Sequence, residues 1–320
     1  MNIKRILSAA LAGLMIATAG AALTSCNTST ADYNIGICQL AEHDALDAAT
    51  RGFQDYLTEK LGEKVSFDLK VAQGELTNCT TIVSNFVAAD VDLIMGNATN
   101  AVKAAREATD KIPVVGTSVT DYVSSGIVAS DEKPGANVTG VSDGNPVSVQ
   151  VELMKTLCPA VKTVGIVYCS GEENSQIQAD EAKAAFEAAG YTVKLYTVAD
   201  SNEIQAVVTK ACTEVDGFYE PTDNLIAANV SAMSNITTPA KKPVICGEEG
   251  MCKAGFLATY SISYYEIGRR AGEMAYEILV NGKNPGDIPI FHFDAASLNL
   301  IINAENAAEM GITSPDSLKK

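Results

Sequence analysis

The pattern with the most direct chemical meaning in this 320-residue chain is Gly140-Val141-Ser142-Asp143-Gly144. It matches G-x-S-x-G, the turn that lifts a nucleophilic serine above a strand, and it follows a strand-like run at 138–141. Ser142, a later acid and His292 come in the chain order of an esterase triad, so a serine hydrolase using Ser142 is the alternative from the enzyme class. Against it, Asn145-Pro146 delays the helix that must follow an elbow serine directly. Metal chemistry has less support still. The chain has two histidines, His43 and His292, and no C-x-x-C spacing among its cysteines. Neither a metal nor a cofactor is expected, and the chain is not read as an enzyme.

The other polar clusters suit a molecule that carries both charges. A free amino acid presents a carboxylate and an ammonium, so its site needs donors for one and an acid for the other. Thr99, Thr117 and Ser118 stand at helix starts or strand ends, where backbone N–H groups and the helix dipole favour an anion. Asn174-Ser175 opens a helix in the same manner, and each of these can equally be an ordinary N-cap. Asp223, between a strand ending in Tyr219-Glu220 and a helix led by Asn224, is the acid assigned to the ammonium, with an N-cap as its competing role. Glu248 is a second acid for that task and Glu42 a third, although acids at helix starts can answer only the dipole. Asn97, Asp121, Ser142, Asp143, Thr222 and Asn224 belong to the same turns and complete the candidate set. Tyr122, Tyr168, Tyr219 and Tyr260 sit at strand ends, where aromatic rings usually belong to the core. The absence of tryptophan weakens a carbohydrate site, which favours broad stacking platforms.

These turns need a scaffold, and the mature chain supplies one in alternating short apolar runs and longer segments of helical period. This is the βαβ rhythm of parallel sheets covered by helices. Strands are expected at 34–39, 65–71, 92–95, 113–117 and 138–141, then at 163–168, 192–197, 217–219, 243–246 and 257–260. Helices include 46–61, where Leu46, Phe53, Leu57 and Leu61 share a face, together with 174–189 and 264–281. Strands that are apolar throughout are buried on both faces. Ligands of such sheets bind at the carboxyl ends of the strands, which is where the polar clusters fall. The fold class is α/β, with two Rossmann-like lobes whose turns converge only if the lobes face each other.

Ahead of this body, Lys4 and Arg5 precede an apolar run at 6–23 that ends in small residues, the layout of a secretory signal. An uncleaved membrane span is the competing reading. Leu23-Thr24-Ser25-Cys26 resembles a bacterial lipobox, in which the Cys26 thiol is lipidated and cleavage makes it the mature N-terminus. Residues 1–25 are thus expected to be a signal peptide and 26–31 a flexible tether. At least two acyl chains anchor such a protein stably to a membrane. Removing two cations and no acids takes the formal charge from −16 to −18, and so acidic a body excludes nucleic acid as a partner. Seven cysteines remain, an odd count that cannot pair completely, and most are read as small buried hydrophobes.

Several phrases together resemble one group of solute-binding proteins. They are Gln39-Leu40-Ala41-Glu42-His43-Asp44-Ala45-Leu46-Asp47, Pro134-Gly135-Ala136-Asn137-Val138-Thr139-Gly140-Val141-Ser142-Asp143, Glu172-Glu173-Asn174-Ser175, Pro221-Thr222-Asp223-Asn224 and Tyr264-Tyr265-Glu266-Ile267-Gly268-Arg269. The group is the ABC transporter substrate-binding family with a type I periplasmic-binding fold, and the resemblance runs over about 34–312. It implies hinge-closing lobes joined by three chain crossings, an N-lobe of 32–141 plus 260–284 and a C-lobe of 142–259 plus 285–320. It implies a monomer that binds an aromatic amino acid and delivers it to an ABC permease, with branched amino acids and nucleosides as other solutes. Contact between His43 and the ligand is implied by the same motif, since a lone histidine is more often structural. The chain departs from the family at Asp44 and at Thr99-Asn100, where members often carry Pro and Thr-Pro, and each change alters the cleft lining.

Overall fold

Residues 31–313 are described by a computed structural model. Cys26, the leader at 1–25 and the tether up to residue 30 lie outside the described residues. The first half of the body runs β1 (Tyr33–Gln39), α1 (Asp44–Leu61), β2 (Val65–Val71), α2 (Leu76–Ala88), β3 (Leu93–Asn97), α3 (Thr99–Ala108), β4 (Val114–Val119) and β5 (Val138–Ser142). Its strands form one parallel sheet in the order β2-β1-β3-β4-β5. The second half runs α4 (Val147–Leu157), β6 (Thr163–Cys169), α5 (Glu173–Ala188), β7 (Thr192–Val198), α6 (Ser201–Cys212), β8 (Gly217–Glu220), α7 (Asn224–Ala227), α8 (Val230–Thr237), β9 (Val244–Cys246), α9 (Glu249–Ala254) and β10 (Ala258–Ser261). After α10 (Tyr264–Leu279) the chain adds β11 (Asn299–Ile302) and α11 (Ala304–Met310). The second sheet has the order β11-β10-β9-β8-β6-β7 and is parallel except for β11, which pairs antiparallel with β10.

The expected strands are all present, and β11 is the addition. Alternation along β3 explains why its residues are apolar without interruption. Leu93 and Met95 pack with Ala49, Phe53 and Ile267 on one face, while Ile94 packs with Val102 and Val83 on the other. Both faces of the second sheet are likewise covered, with Ile166 and Tyr219 facing Phe186 and Val167 facing Ile204 and Phe218. Fully burying such side chains contributes roughly 1.5–3 kcal/mol each. Tyr122, Tyr168 and Tyr219 belong to these cores, and Tyr260 packs against one of them partly exposed.

Helices α1 and α10 cross the first sheet together. A β-carbon on Gly268 would sit 1.9 Å from the Ala49 carbonyl oxygen, and one on Gly52 would sit 2.1 Å from that of Tyr265, so both positions require glycine for the backbones to approach. The start of α10 is thereby held beside the ends of β4 and β5. Residues 286–291 also stay with the first sheet. Gly135 N–H donates to Gly286 O, Ile290 N–H to Asp131 O and Phe291 N–H to Gly140 O, and the chain rejoins the second sheet only at β11. All seven cysteines of the body are free, six of them buried.

Candidate functional site

The carboxyl ends of the two sheets face each other across a narrow cavity. Its wall includes His43 and Leu46 from the start of α1, Ser118 and Thr120 after β4, Asp143 after β5 and Tyr264 at the head of α10. The opposite wall is Asn174, Thr222, Asp223, Asn224, Ala227, Glu248 and Met251. The cleft is bridged directly. His43 Nε2 is 3.2 Å from Asn224 Oδ1, and Thr120 Oγ1 is 3.3 Å from Thr222 Oγ1. Gln178 Nε2 donates to Thr120 Oγ1 at 2.8 Å and also to Thr222 Oγ1, while its Oε1 accepts the Thr222 N–H. Lys103 on α3 pairs with Glu173 on α5 at 2.5 Å.

Three buried carboxylates line the cavity, and their hydrogen bonds separate them. Asp223 is the N-cap of α7: Oδ1 accepts the Ile226 N–H at 2.8 Å and Oδ2 the Cys169 N–H at 2.6 Å. Glu248 caps α9 through the Met251 N–H at 2.6 Å and the Gly250 N–H. Burial pushes the Glu248 carboxyl up to about 7 against those two donors. Asp143 is different. Tyr264 Oη donates to its Oδ2 at 2.5 Å, while Oδ1 is buried without a hydrogen-bond partner. Burial raises its carboxyl above the ordinary value, opposed mainly by the Tyr264 hydroxyl.

Three more cavity atoms share the condition of Asp143 Oδ1, namely His43 Nδ1, Ser118 Oγ and Asn174 Oδ1. A buried polar atom left unpaired costs about 1–3 kcal/mol, so four of them around one cavity define a site that an occupant completes. Ser118 also adopts φ +56°, a backbone conformation that is uncommon for residues other than glycine and is concentrated at functional sites. Burial pushes the His43 imidazole below its usual value, outweighing the Asn224 hydrogen bond and the charges of Asp47 and Asp44, so the ring is neutral near pH 7.

Of the residues expected from the sequence, His43, Ser118, Asp143, Asn174, Thr222, Asp223, Asn224 and Glu248 line this cavity. The others do not. Asn97 joins a buried network, donating to Leu46 O and Thr50 Oγ1 and accepting from Thr117 Oγ1. Thr99 is buried at the first position of α3, and Ser175 is buried beside Asn174. Ser142 Oγ donates to Thr120 O at 2.9 Å and accepts from Gly144 N, holding the turn. His292 is bound instead to Asp131 at 2.9 Å, and α4 begins only at Val147. Asp121 accepts N–H bonds from Val123 and Ser124 in a local turn. Glu42 is exposed in a wider groove that adjoins the cavity at Asn224. Leu46, Thr120, Ala227, Met251 and Tyr264 are cavity residues outside the expected set. Leu46 and Met251 could have been found from spacing, each three residues after a candidate at a helix start.

Two α/β units with parallel sheets, facing strand ends and a polar cavity between them define a solute-binding protein of the type I periplasmic-binding class. The match to the ABC transporter substrate binding protein family spans residues 34–320, and the chain belongs to that family. It is 35% identical to the "Tyrosine-binding protein" of Clostridioides difficile strain R20291, over 99% of this chain and 95% of that one. An ABC domain in complex with L-Trp from Streptococcus pneumonia is 37% identical and superposes with a TM-score of 0.86, covering 90% of this chain and 97% of the other. The ligand-free, open structure of a substrate binding protein with adhesive properties from Clostridium difficile is 36% identical, covers 88% and 96%, and reaches a TM-score of 0.67. The present chain has its lobes closed, in accord with the bridges from His43, Thr120 and Lys103. Among the described residues no helix is long and apolar enough to cross a membrane.

Proposed function

We propose that the cleft takes a free aromatic amino acid for delivery to an ABC permease. The observation that carries this reading is the set of four unpaired polar atoms around a cavity whose remaining wall includes Leu46, Ala227 and Met251. Asp143 Oδ1 receives the ligand ammonium, with Asn174 Oδ1 as a second acceptor. Asn174 Nδ2 is already directed at Thr222 O and Ser175 Oγ, which leaves its oxygen toward the cavity. The Ser118 hydroxyl donates to the carboxylate, and the apolar wall takes the ring. This reassigns the ammonium from Asp223, whose two oxygens are already engaged in capping α7 and holding the end of β6. The kinship with a tyrosine-binding protein and with an L-Trp complex supports the same class of ligand.

Thermal unfolding of the body beginning after Cys26, with and without each of the twenty amino acids, nucleosides and sugars, tests the assignment. Ligand at about 100 times its dissociation constant adds roughly 2.7 kcal/mol of apparent stability. A midpoint moved by nucleosides or sugars and by no amino acid would overturn it. The protein acts outside the cytoplasm as a monomer, anchored through lipid on Cys26. Labelling with a fatty-acid analogue should mark the parent chain and leave Cys26→Ala unlabelled. Label on Cys26→Ala would exclude that anchor.

A further inference from the structure

We infer that His43 is a specificity-determining residue, whose Nδ1 hydrogen-bonds a hydroxyl carried at the far end of the ligand ring and so favours a phenol over an unsubstituted ring. The inference rests on the aromatic amino-acid reading above and adds the polar group that the ring must bear.

Four observations carry it. First, Nε2 is engaged by Asn224 Oδ1 at 3.2 Å, and Asn224 is itself held by Glu172, which accepts from Asn224 Nδ2 at 2.5 Å and from the Leu225 N–H at 2.9 Å. The imidazole is thus tethered through one nitrogen. Second, His43 lines the cavity, and its other nitrogen, Nδ1, is buried without a hydrogen-bond partner. Third, His43 contributes no side-chain cap to α1, so its ring has no local backbone task. Fourth, His43 follows β1 while Asp143 follows β5, and β3 and β4 separate those strands in the sheet. A ligand whose ammonium meets Asp143 can reach His43 only with its distal end.

The neighbours of His43 agree with this direction. Leu46 lies one helical turn along the same helix. Met251 comes from α9, whose start abuts α1: a β-carbon on Gly250 would be 3.1 Å from Ala45 N. A ring lying on Leu46 and Met251 therefore ends near the imidazole. Because Nε2 donates to Asn224 Oδ1, Nδ1 of the neutral ring is an acceptor, and a phenol hydroxyl satisfies it by donating. A phenyl ring leaves Nδ1 buried and unpaired, and sites built to bond a ligand hydroxyl discriminate strongly against the analogue that lacks it.

Titration calorimetry of the parent and His43→Leu with L-tyrosine, L-phenylalanine and 4-fluoro-L-phenylalanine tests this. The parent should bind tyrosine at least about tenfold more tightly than either analogue. His43→Leu should bring the three ligands to within about threefold of each other while still binding phenylalanine, which also reports that the variant folds. The chain has only two histidines, so 15N-histidine labelling of His292→Gln leaves a single imidazole to observe. Tyrosine should shift its Nδ1 resonance, and phenylalanine should not. Parent affinities for tyrosine and phenylalanine within about threefold, or a tyrosine preference that survives His43→Leu, would overturn the inference while leaving the amino-acid reading intact. A parent that binds none of the three and no other aromatic amino acid would overturn both.

Discussion

Asp143 and Asp223 are both buried acids at strand ends, yet one has a bare oxygen and the other has none. Removing one partner of a buried charged hydrogen bond typically costs about 2–5 kcal/mol, so Asp143→Asn should weaken ligand binding by at least about thirtyfold. The ligand-free variant should melt no lower than the parent, because burial already disfavours the Asp143 charge that the substitution removes. Asp223→Ala should show the reverse emphasis. Loss of an N-cap costs about 0.5–2 kcal/mol, and the Cys169 N–H loses its acceptor as well, so the melting point should fall. Calorimetry and thermal melts on both variants check this, and binding by Asp143→Asn within about twofold of the parent would move the ammonium elsewhere. The sequence could not divide these roles. An acid after a strand is the same local pattern whether it caps a helix or faces the cleft, and the contacts that help separate the two, Cys169 N–H to Asp223 and Tyr264 Oη to Asp143, come from 54 and 121 residues away.

At the scale of elements, the turns after β6 and β8 are joined by Glu172, which accepts from the backbone of Asn224 and Leu225 at the start of α7. Burial and the neighbouring Asp223 charge push the Glu172 carboxyl from 4.5 up to about 8. A raised folded value means that the native protein holds this proton more tightly than the unfolded chain. Its contribution to stability is therefore complete below 4.5 and is lost as pH rises toward about 8. Melting temperature should decline across that window more steeply in the parent than in Glu172→Gln, as followed by calorimetric melts at stepped pH. Parallel profiles for the two proteins would refute the assignment. Most elements were legible because strands buried on both faces must be apolar throughout, as Leu93, Ile94 and Met95 are. The exception, β11, is a partly exposed antiparallel edge lying beyond the expected series, and its short Asn299–Ile302 run gains strand form only by pairing with β10.

At the scale of the whole molecule, closure depends on contacts that couple the lobes, and sequence patterning does not register them because each joins residues far apart in the chain. Gln178 is the clearest case: it lies outside the cavity lining, is buried, and binds Thr120 from one lobe and Thr222 from the other. A ligand shifts a hinge equilibrium only by its preference for the closed form, so any contact made only on closure adds to apparent affinity without touching the ligand. Gln178→Leu leaves the Thr222 N–H without its acceptor and removes the bridge from Thr120, so the closed state should lose about 1–3 kcal/mol. Affinity should then fall roughly five- to 150-fold, with the change expressed mainly in faster dissociation. Lys103→Ala breaks another bridge between the same lobes, but that pair is partly exposed and worth no more than about 1 kcal/mol, so affinity should change little. Small-angle scattering should record an expanded ligand-free parent that compacts on adding ligand, with Gln178→Leu needing more ligand to reach the same compaction. If Gln178→Leu compacts at the same ligand concentration as the parent, the buried bridge does not govern closure, whatever Lys103→Ala does.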